Sequence, residues 1–321
     1  MNLICRAIKK YHKNPRMFFF ALANKILVFF SNRIHNDETY LKFYYRLRTG
    51  KKLNLSNPKT FNEKTQWIKL YDRKPVYTSM VDKYDVLEFV RQKIGEQYII
   101  PLLGVWHGFD EIDFDKLPNQ FVLKCTHDSG GVVICRDKEK LDFIGKVGSK
   151  IADITAAREK INNSLKRNYF IKGREWSYKH VPKRIIAQKY IKDEAGGLLQ
   201  DYKIFTFNGK PKYVQVHFSK SSEALMANFY STDWVYQDFY IEEISDKSHH
   251  IEKPKRLDEM LRLAEILAEG TYFLRVDFFY VNDCIYFGEL TFYNWGGYGK
   301  FNPKRYDELF GGCITLPYEV R

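Results

Sequence analysis

Cysteine is scarce in this 321-residue sequence, and its few copies follow neither a zinc-binding nor a disulfide pattern. The five cysteines are odd in number and include no CxxC pair. Several lie in apolar runs typical of β-strands, so we expect reduced, buried thiols rather than disulfides or bound zinc. Reduced thiols indicate a reducing compartment, and a cytoplasmic protein is predicted. The cysteines are Cys5, Cys125, Cys135, Cys284 and Cys313.

The sequence also has no long uninterrupted hydrophobic run, internal repeat or low-complexity linker. Its most apolar segment, residues 17–30, is broken by Asn24 and Lys25 and is too short to cross a membrane. The polar, bulky residues after it provide no cleavage site for a signal peptide. The residues at helical spacing on one side are Phe19, Leu22, Ile26, Phe29 and Phe30. We expect this helix to dock on the protein; the alternative is a basic amphipathic helix in peripheral contact with the inner membrane leaflet.

A block of basic residues and a nucleic-acid-binding motif are both missing, although the chain is strongly basic. Lysine and arginine number 52 against 39 acidic residues, which gives a formal net charge of +13. An anionic partner is therefore expected, but no nucleic acid. Nucleotide phosphates, acidic glycans and anionic lipid remain candidates. With 45% hydrophobic residues, the chain is long enough to bury the cores of two or three lobes.

The stretch from residue 273 to 297 is the most informative part of the sequence. It contains two strand-like segments, FLRVDFFYV and CIYFGELTFY, joined by the turn dipeptide ND. We treat the hairpin as symmetric about Asp283, the second turn residue. Alternation along the strands then predicts a buried face on one side of the hairpin. The residues predicted on that face are Leu274, Val276, Phe278, Tyr286, Leu290 and Phe292.

The opposite face of this hairpin collects charged residues. The same symmetry places Asp277 opposite Glu289, and Arg275 opposite Thr291. Two carboxylates directly across a ladder repel each other, so neutralising one should stabilise the metal-free protein. A divalent cation between them would instead make the arrangement favourable, and hard oxygen ligands suit Mg²⁺. A metal site and a solvated charged face both remain open interpretations.

A second informative stretch begins with the strand FVLKC, which carries Lys124 on the face opposite its apolar residues. The strand leads into the loop THDSGG, residues 126–131, and out into the strand VVIC. A lysine beside a Gly-Gly loop can bind phosphates through its ammonium group and the backbone N–H groups. The loop has no GK[ST] ending and no following helix, so it is not a Walker A motif. An ordinary Gly-Gly hairpin remains the alternative, with His127 as a loop histidine.

Other charged residues lie near predicted element ends. Lys83 follows Asp82 at the opening of a helix predicted over residues 81–94, where a surface charge pair is the plain interpretation. The strand DYKIFTF places Asp201 and Lys203 on one face, before a hairpin turn of sequence NG. A lysine directed inward from this strand requires a compensating anion.

Taken together, these segments resemble the ATP-grasp superfamily, and closely the TupA-like ATP-grasp proteins of polysaccharide biosynthesis. The resemblance extends from about residue 51 to 317 and is carried by TFNEKTQWIKLYDRKPVYTSMVDKY, QYIIPLLGVW, FVLKCTHDSGG, REWSYK, IIAQKYI, DYKIFTFNGKPKYVQV and LRVDFFYVNDCIYFGELTFY. It implies an α+β fold in which two lobes grip ATP after a mainly helical amino-terminal lobe. The implied segments are a terminal helix (1–35), an amino-terminal lobe (36–117), a central lobe (118–190) and a carboxy-terminal lobe (191–321).

The resemblance also implies an ATP site. Two lysines would contact the phosphates, the loop 126–131 would close over them, and the hinge IIAQKYI would bind adenine, mostly through backbone atoms. Asp201 lies on the strand that reaches the ribose. The family commonly has Glu where Gln188 stands. The residues implied for ATP binding are Lys83, Lys124, Thr126, His127, Ser129, Gly130, Gly131, Gln188, Lys189, Ile191 and Asp201.

For the chemistry itself, the resemblance implies Arg275 and Lys203 as catalytic residues near the transferred phosphoryl group. Asp277 and Glu289 match the Mg²⁺ ligands. The superfamily's usual third ligand is Asn, where this chain has Thr291, and Asn294 is nearby in sequence.

The implied reaction is ATP-dependent amide formation through an acyl phosphate, with an acidic sugar or glycan and an amino acid or amine as substrates. A phosphotransferase and a non-catalytic nucleotide-binding module are the alternatives. No Ser/His/Asp or Cys/His constellation is found in the sequence, which agrees with a reaction that needs no covalent nucleophile. Candidates for a sugar contact are Tyr178, His217 and Trp234.

Overall fold

The computed structural model describes residues 23, 26–145, 148–194, 199–220 and 225–317. Most of the helix predicted over residues 17–30, including Phe19 and Leu22, lies outside this part. Within it, Leu27 and Val28 pack against the core, whereas Ile26, Phe29 and Phe30 are exposed. The predicted buried side of this helix is therefore wrong for its described residues. No described helix has the length and apolar character needed to cross a membrane.

Between residue 37 and the first strand, the structure describes four α-helices: α1 (Asp37–Thr49), α2 (Phe61–Tyr71), α3 (Val76–Val81) and α4 (Val86–Lys93). Helix α2 begins with a capping box, in which Thr60 and Glu63 bond each other's backbone N–H groups. The single helix predicted over residues 81–94 is wrong at its start. The Asp82 carboxylate accepts the N–H groups of Tyr84 and Asp85, so residues 82–85 form a turn between α3 and α4.

The first sheet has six antiparallel strands in the order β1-β6-β2-β3-β4-β5. The strands are β1 (Leu102–Trp106), β2 (Phe121–Cys125), β3 (Val132–Asp137), β4 (Asp142–Gly145), β5 (Lys150–Ile151) and β6 (Ile185–Lys189). Helix α5 (Ile154–Leu165) packs on one face through Ala157 and Ile161, and α6 (Tyr169–Gly173) follows it. The other face of the sheet is left for Lys124 and Gln188.

The second sheet also has six antiparallel strands, in the order β10-β9-β8-β7-β12-β13. They are β7 (Gln200–Phe207), β8 (Lys210–Lys220), β9 (Leu225–Ser231), β10 (Tyr236–Gln237), β12 (Phe273–Val281) and β13 (Cys284–Thr291). A separate pair joins β11 (Tyr240–Ile241) to β14 (Phe301–Asn302), and the remaining helices are α7 (Leu257–Leu267) and α8 (Arg305–Gly312). Antiparallel sheets with segregated helices are an α+β architecture, as predicted.

Two hydrophobic cores organise the described chain. One lies between α5 and the first sheet and draws its residues from 109–187. The other joins the helices α1–α4 to the second sheet, α7 and α8, with residues from 40 to 314. The amino-terminal helices therefore share a core with the carboxy-terminal strands. The four segments implied by the resemblance stay a prediction.

The four described cysteines are free thiols. Cys125 and Cys135 are buried, as expected from their apolar strands, and burial raises the pKa of each thiol to about 11. Cys284 is exposed and Cys313 is half-buried, so the expected burial does not hold for these two. Cys5 lies outside the described residues.

Candidate functional site

The β12–β13 hairpin carries the predicted catalytic and metal residues, and its register depends on two features. Asn282 and Asp283 have φ angles of 51° and 57°, so the turn is a tight two-residue turn centred between them rather than on Asp283. Pairing then runs from Val281 opposite Cys284 to Phe278 opposite Phe287. A bulge next shifts the register by one residue, and Asp277 faces Glu289 as predicted.

The bulge consists of the extra residue Gly288. A Cβ atom at this position would lie 3.0 Å from the carbonyl oxygen of Asp277, so glycine permits the close approach of the two strands. The bulge also corrects the predicted buried face of β13. Ile285 and Phe287 are buried there, whereas Tyr286 is only half-buried and lies opposite Phe279 on the charged face.

Arg275 lies between the two facing carboxylates. Its Nε and Nη2 atoms donate to Asp277 Oδ1 and Oδ2, both at 2.7 Å, and Nη2 also donates to Glu289 Oε1 at 3.1 Å. Burial disfavours the charged guanidinium, but Asp277 and Glu289 outweigh it and raise the pKa of Arg275. The predicted net repulsion between the carboxylates is therefore wrong, because a bidentate cation bridges them.

Lys203 supplies a second cation from the neighbouring strand. Residues 203 and 277 are paired across β7 and β12, and Lys203 Nζ donates to Asp277 at 2.7 Å and to Asp201 at 2.8 Å. Burial lowers the pKa of Lys203, but Asp201 and Asp277 outweigh it and raise the value. The compensating anions required for an inward lysine are thus present. On the next strand, His217 Nε2 lies 2.8 Å from Glu243 and extends the polar network.

The oxygen atoms around Asp277 are of the chemical type that binds Mg²⁺. Asp277 and Glu289 offer carboxylate oxygens, and Thr291, opposite Arg275, offers a hydroxyl. Asn294 is buried and its Oδ1 accepts from Arg275 Nη1 at 2.8 Å, so it reaches the same cluster. Within the described residues, no group of three or more His, Cys, Asp and Glu side chains is placed to hold a metal. A metal ion here would therefore also need oxygen ligands from other residue types or from a bound substrate.

On the first sheet, Lys124 and Gln188 lie side by side on β2 and β6. Lys124 Nζ donates to Gln188 Oε1 at 2.8 Å, and Gln188 Nε2 donates to the carbonyl oxygen of Ile100 at 3.4 Å. Because Gln188 is neutral, it orients the ammonium group of Lys124 without cancelling its charge. A lysine ammonium group can donate charge-assisted hydrogen bonds to an anion such as phosphate.

The loop at residues 126–131 is held by bonds within the protein. Thr126 and His127 are both buried; Thr126 Oγ1 donates to Pro182 O at 2.8 Å, and His127 Nε2 lies 3.1 Å from Ser164 O. A carbonyl partner requires the proton on Nε2, and burial lowers the pKa of His127. In this conformation both side chains fix the loop.

The far end of the loop is closed by Asp128. Its Oδ1 accepts the N–H of Gly130 at 3.3 Å and that of Gly131 at 2.9 Å, so the N–H groups predicted for phosphate are engaged by a carboxylate here. The Lys83 ammonium donates to the Asp128 carbonyl oxygen. Ser129 is exposed, with its hydroxyl 3.5 Å from that of Tyr169.

The predicted hinge borders a cavity of about 1060 Å³. Lys189 and Ile191 line it on one side, and Asn282 and Tyr286 of the hairpin line it on another. The N–H of Lys189 already donates to Pro101 O at 2.9 Å. Tyr286 shares the hairpin face of Asp277, so this cavity lies at one end of the charged row on the second sheet.

The structure thus groups the predicted residues into two clusters, one on each sheet. Sequence reasoning left Arg167, Tyr169 and Glu175 without a role and named Tyr178 only as a candidate for a sugar contact. Arg167 lies beside the loop, since a Cβ on Gly130 would be 3.1 Å from its Nη1. Tyr169 adjoins the loop at Ser129, its ring lies 4.7 Å from that of Tyr178, and Glu175 lies beside Gly296 of the turn after the hairpin. Glu175 and Tyr178 belong to the REWSYK segment, whose mixture of charged and aromatic residues is the signal that could have identified them.

Three comparisons relate the chain to known proteins. The sequence model of the family described as TupA-like ATPgrasp matches residues 63–315, which is most of the chain. This match confirms the predicted resemblance. A search of curated proteins finds no match to this sequence.

Solved structures with similar folds are enzymes of low sequence identity. D-alanine–D-alanine ligase from Bacillus anthracis in complex with ATP is 16% identical, with 71% of this chain and 55% of that chain covered and a TM-score of 0.36. The ADP complex of N5-carboxyaminoimidazole ribonucleotide synthetase is 14% identical (72% and 50% covered, TM-score 0.41). L-amino acid ligase from Bacillus licheniformis is 13% identical (79% and 52% covered, TM-score 0.41). The chain therefore spans about half the length of these structures.

Proposed function

Because this chain belongs to the TupA-like ATP-grasp family and has its α+β fold, we propose that it is an ATP- and Mg²⁺-dependent ligase that joins a carboxylate to an amine. The observation that carries the proposal is the cluster on the second sheet. Arg275 and Lys203 are held by Asp277, with Glu289 alongside. Buried cations beside carboxylates of this kind are what a phosphoryl transfer with a metal requires.

Residues of both sheets contact the nucleotide. Lys83 and Lys124 bind the phosphates under the loop of Thr126, His127, Ser129, Gly130 and Gly131. The adenine lies at the cavity bordered by Lys189 and Ile191, next to Gln188 in the hinge, and the ribose near Asp201. Asp277, Glu289 and Thr291 would hold Mg²⁺, which would neutralise charge on the phosphate oxygens.

Arg275 and Lys203 act on the reacting groups. A substrate carboxylate attacks the γ-phosphorus of ATP, the bond to the β–γ bridging oxygen breaks, and ADP leaves with an acyl phosphate formed. Arg275 and Lys203 stabilise the negative charge on the transferred group during this step. The amine then attacks the acyl carbon, loses a proton, and phosphate departs as the amide forms. Binding and charge stabilisation are thus the tasks of the protein.

For substrates, we propose an acidic sugar of a surface polysaccharide and an amino acid or another amine. The net charge of +13 suits a polyanionic acceptor. A cytoplasmic location, with peripheral contact at the inner leaflet, fits work on such precursors. Nucleic acid is not among the proposed partners.

The test combines binding with product analysis. Calorimetry should detect ATP binding that depends on Mg²⁺, and a library of uronic acids and amino acids should yield an amide product by mass, together with ADP and free phosphate. ADP with a phosphorylated sugar and no free phosphate would identify a phosphotransferase. Absence of Mg²⁺-dependent nucleotide binding would contradict the proposal as a whole.

A further inference from the structure

Glu175 lies at the end of the charged row that is farther from the hinge cavity. Along the hairpin face the order is Tyr286 beside the cavity, then the Asp277–Glu289 pair, then Arg275 with Thr291. Asn294, which bonds Arg275, opens the short turn Asn294–Gly297. A Cβ atom on Gly296 of that turn would be 3.2 Å from Glu175 Oε1. Glu175 therefore adjoins the reacting groups on the side opposite the nucleotide base.

The backbone on both sides of Glu175 is held in place by hydrogen bonds from side chains of α2. Fully buried Lys69 of α2 donates from Nζ to Gly173 O at 2.8 Å and to Gly296 O at 2.7 Å. Gln66, one turn earlier, donates to Gly296 O at 3.1 Å and to Gly297 O at 2.9 Å. Helix α2 thus ties together the two backbone segments that flank Glu175. Rigid support of this kind is what a recognition group requires.

Two glycines, Gly173 and Gly296, lie next to the carboxylate. A Cβ on Gly173 would come within 2.8 Å of Glu175 Oε1, closer than real Cβ contacts allow. Among the described residues, none donates a hydrogen bond to the Glu175 carboxylate, and none forms an ion pair with it within 4.0 Å. Lys69 instead bonds the two glycine carbonyls; burial lowers the pKa of its ammonium to about 8, although the negative charge of Glu175 opposes this shift. The half-buried Glu175 carboxylate can therefore accept hydrogen bonds from a ligand.

Two tyrosines connect Glu175 with the proposed reaction site. The rings of Tyr169 and Tyr178 lie 4.7 Å apart, and Tyr169 reaches Ser129 of the loop. The negative charges of Glu175 and Glu289 both raise the pKa of Tyr169. They also contribute, after burial, to the raised pKa of Tyr178. Glu175 therefore lies beside the turn that follows the hairpin, at a point where no part of the nucleotide has been assigned.

We propose that the Glu175 carboxylate binds the ammonium group of the second substrate, which loses one proton to solvent before the neutral amine attacks, and so selects an amine over a neutral or acidic nucleophile. This inference rests on the proposed ligase function. An ammonium group satisfies a carboxylate by a charge-assisted hydrogen bond, and the location beyond Arg275 places the amine on the acyl side of the transferred phosphoryl group. Tyr169 and Tyr178 form the wall between this subsite and the loop.

The test compares wild type, Glu175→Gln and the exposed control Glu139→Gln in the full chain. With Mg²⁺-ATP, uronic acids and each of the twenty amino acids, the KM for the amine should rise about 10-fold or more in Glu175→Gln only. Hydroxylamine, which is uncharged at neutral pH, should trap the acyl phosphate at the same rate in all three proteins. Glu175→Asp should recover part of the amine affinity.

Several outcomes separate the possibilities. An unchanged amine KM with a lowered Tm in Glu175→Gln would make Glu175 a structural counterion of Lys69 and overturn the inference. If the wild-type protein forms hydroxamate but accepts no amino acid, activation of the acid would be intact and the inference would be overturned as well. Failure of wild type to form hydroxamate or to bind Mg²⁺-ATP would remove the proposed function and this inference together. A Tm increase caused by L-alanine but not by L-lactate, and lost in Glu175→Gln, would support the inference without turnover.

Discussion

The two sheets present very different charged faces to the space between them. On the first sheet, Lys124 is held by the neutral amide of Gln188. On the second, Arg275 and Lys203 share the carboxylates of Asp277, Glu289 and Asp201 in one continuous network. The first cluster pairs its lysine with an amide side chain, whereas the second pairs its cations with carboxylates. We therefore expect Lys124 of the first sheet to contribute mainly to ligand affinity, and Arg275 and Lys203 of the second sheet mainly to the reaction.

The largest expected effect is that of Asp277→Asn on the second sheet. Asp277 is almost completely buried and is the partner of both Arg275 and Lys203. The change should lower turnover by about 10³-fold or more. Since it leaves two buried cations without their shared partner, it should also lower the free energy of unfolding of the nucleotide-free protein by about 3 kcal/mol. Chemical denaturation and phosphate release measure the two effects.

The control for that experiment is Asp258→Asn, which changes an exposed carboxylate on α7. It should leave turnover and stability unaltered. An Asp277→Asn protein as stable as wild type without nucleotide would show that the charge balance on the second sheet does not depend on Asp277.

Lys124→Ala tests the other side of the comparison. Removal of a charge oriented by a neutral partner should weaken ATP binding and lower turnover by about 10²-fold. The free energy of unfolding should change by about 1 kcal/mol, the usual contribution of a side-chain hydrogen bond such as that to Gln188. Calorimetry with Mg²⁺-ATP and chemical denaturation are the measurements. Exposed Lys116→Ala is the control; a Lys124→Ala protein with normal ATP affinity would assign Lys124 a structural role only.

Gly131→Ala examines the loop of the first sheet. The added methyl group would lie 2.4 Å from Ser164 Oγ and 2.6 Å from Cys125 Sγ, so the loop must shift. We expect a loss of about 1–3 kcal/mol in unfolding free energy and a higher KM for ATP. Gly312→Ala, whose added methyl group meets nothing within 4 Å, is the matched control. Equal Tm values for the two variants would argue against tight packing at the loop.

Gly288→Ala examines the bulge of the second sheet and should have the smallest effect. The nearest atom to the added methyl group is the Asp277 carbonyl oxygen at 3.0 Å, which requires a displacement of a few tenths of an ångström. We expect a loss of about 1 kcal/mol in stability, with a larger relative loss of turnover because Asp277 and Glu289 move apart. Melting temperature and phosphate release, again against Gly312→Ala, show whether the bulge positions the carboxylates.

Several site residues could be placed from sequence because they depend on local regularity. Asp277 and Glu289 were paired correctly, although by two errors that cancel: the turn centre is half a residue earlier, and the Gly288 bulge restores the offset. Tyr286 precedes the bulge, so the misplaced turn centre alone assigns it to the wrong face of the hairpin. A bulge depends on how closely two strands approach, and alternation of residue types does not specify that distance.

The sequence by itself determined the family, the two strands of the hairpin, the loop after β2 and the residue types of the proposed chemistry. These follow from periodicity, turn residues and motif order, which are local properties of the chain. Only the tertiary structure decided which charges share a network and which are satisfied elsewhere. Asp277 bonds Arg275 and Lys203, His127 bonds Ser164, and Lys69 bonds the glycines beside Glu175. Such pairings join residues far apart in the chain, and the free energy of a buried charge is set by those partners rather than by its neighbours in sequence.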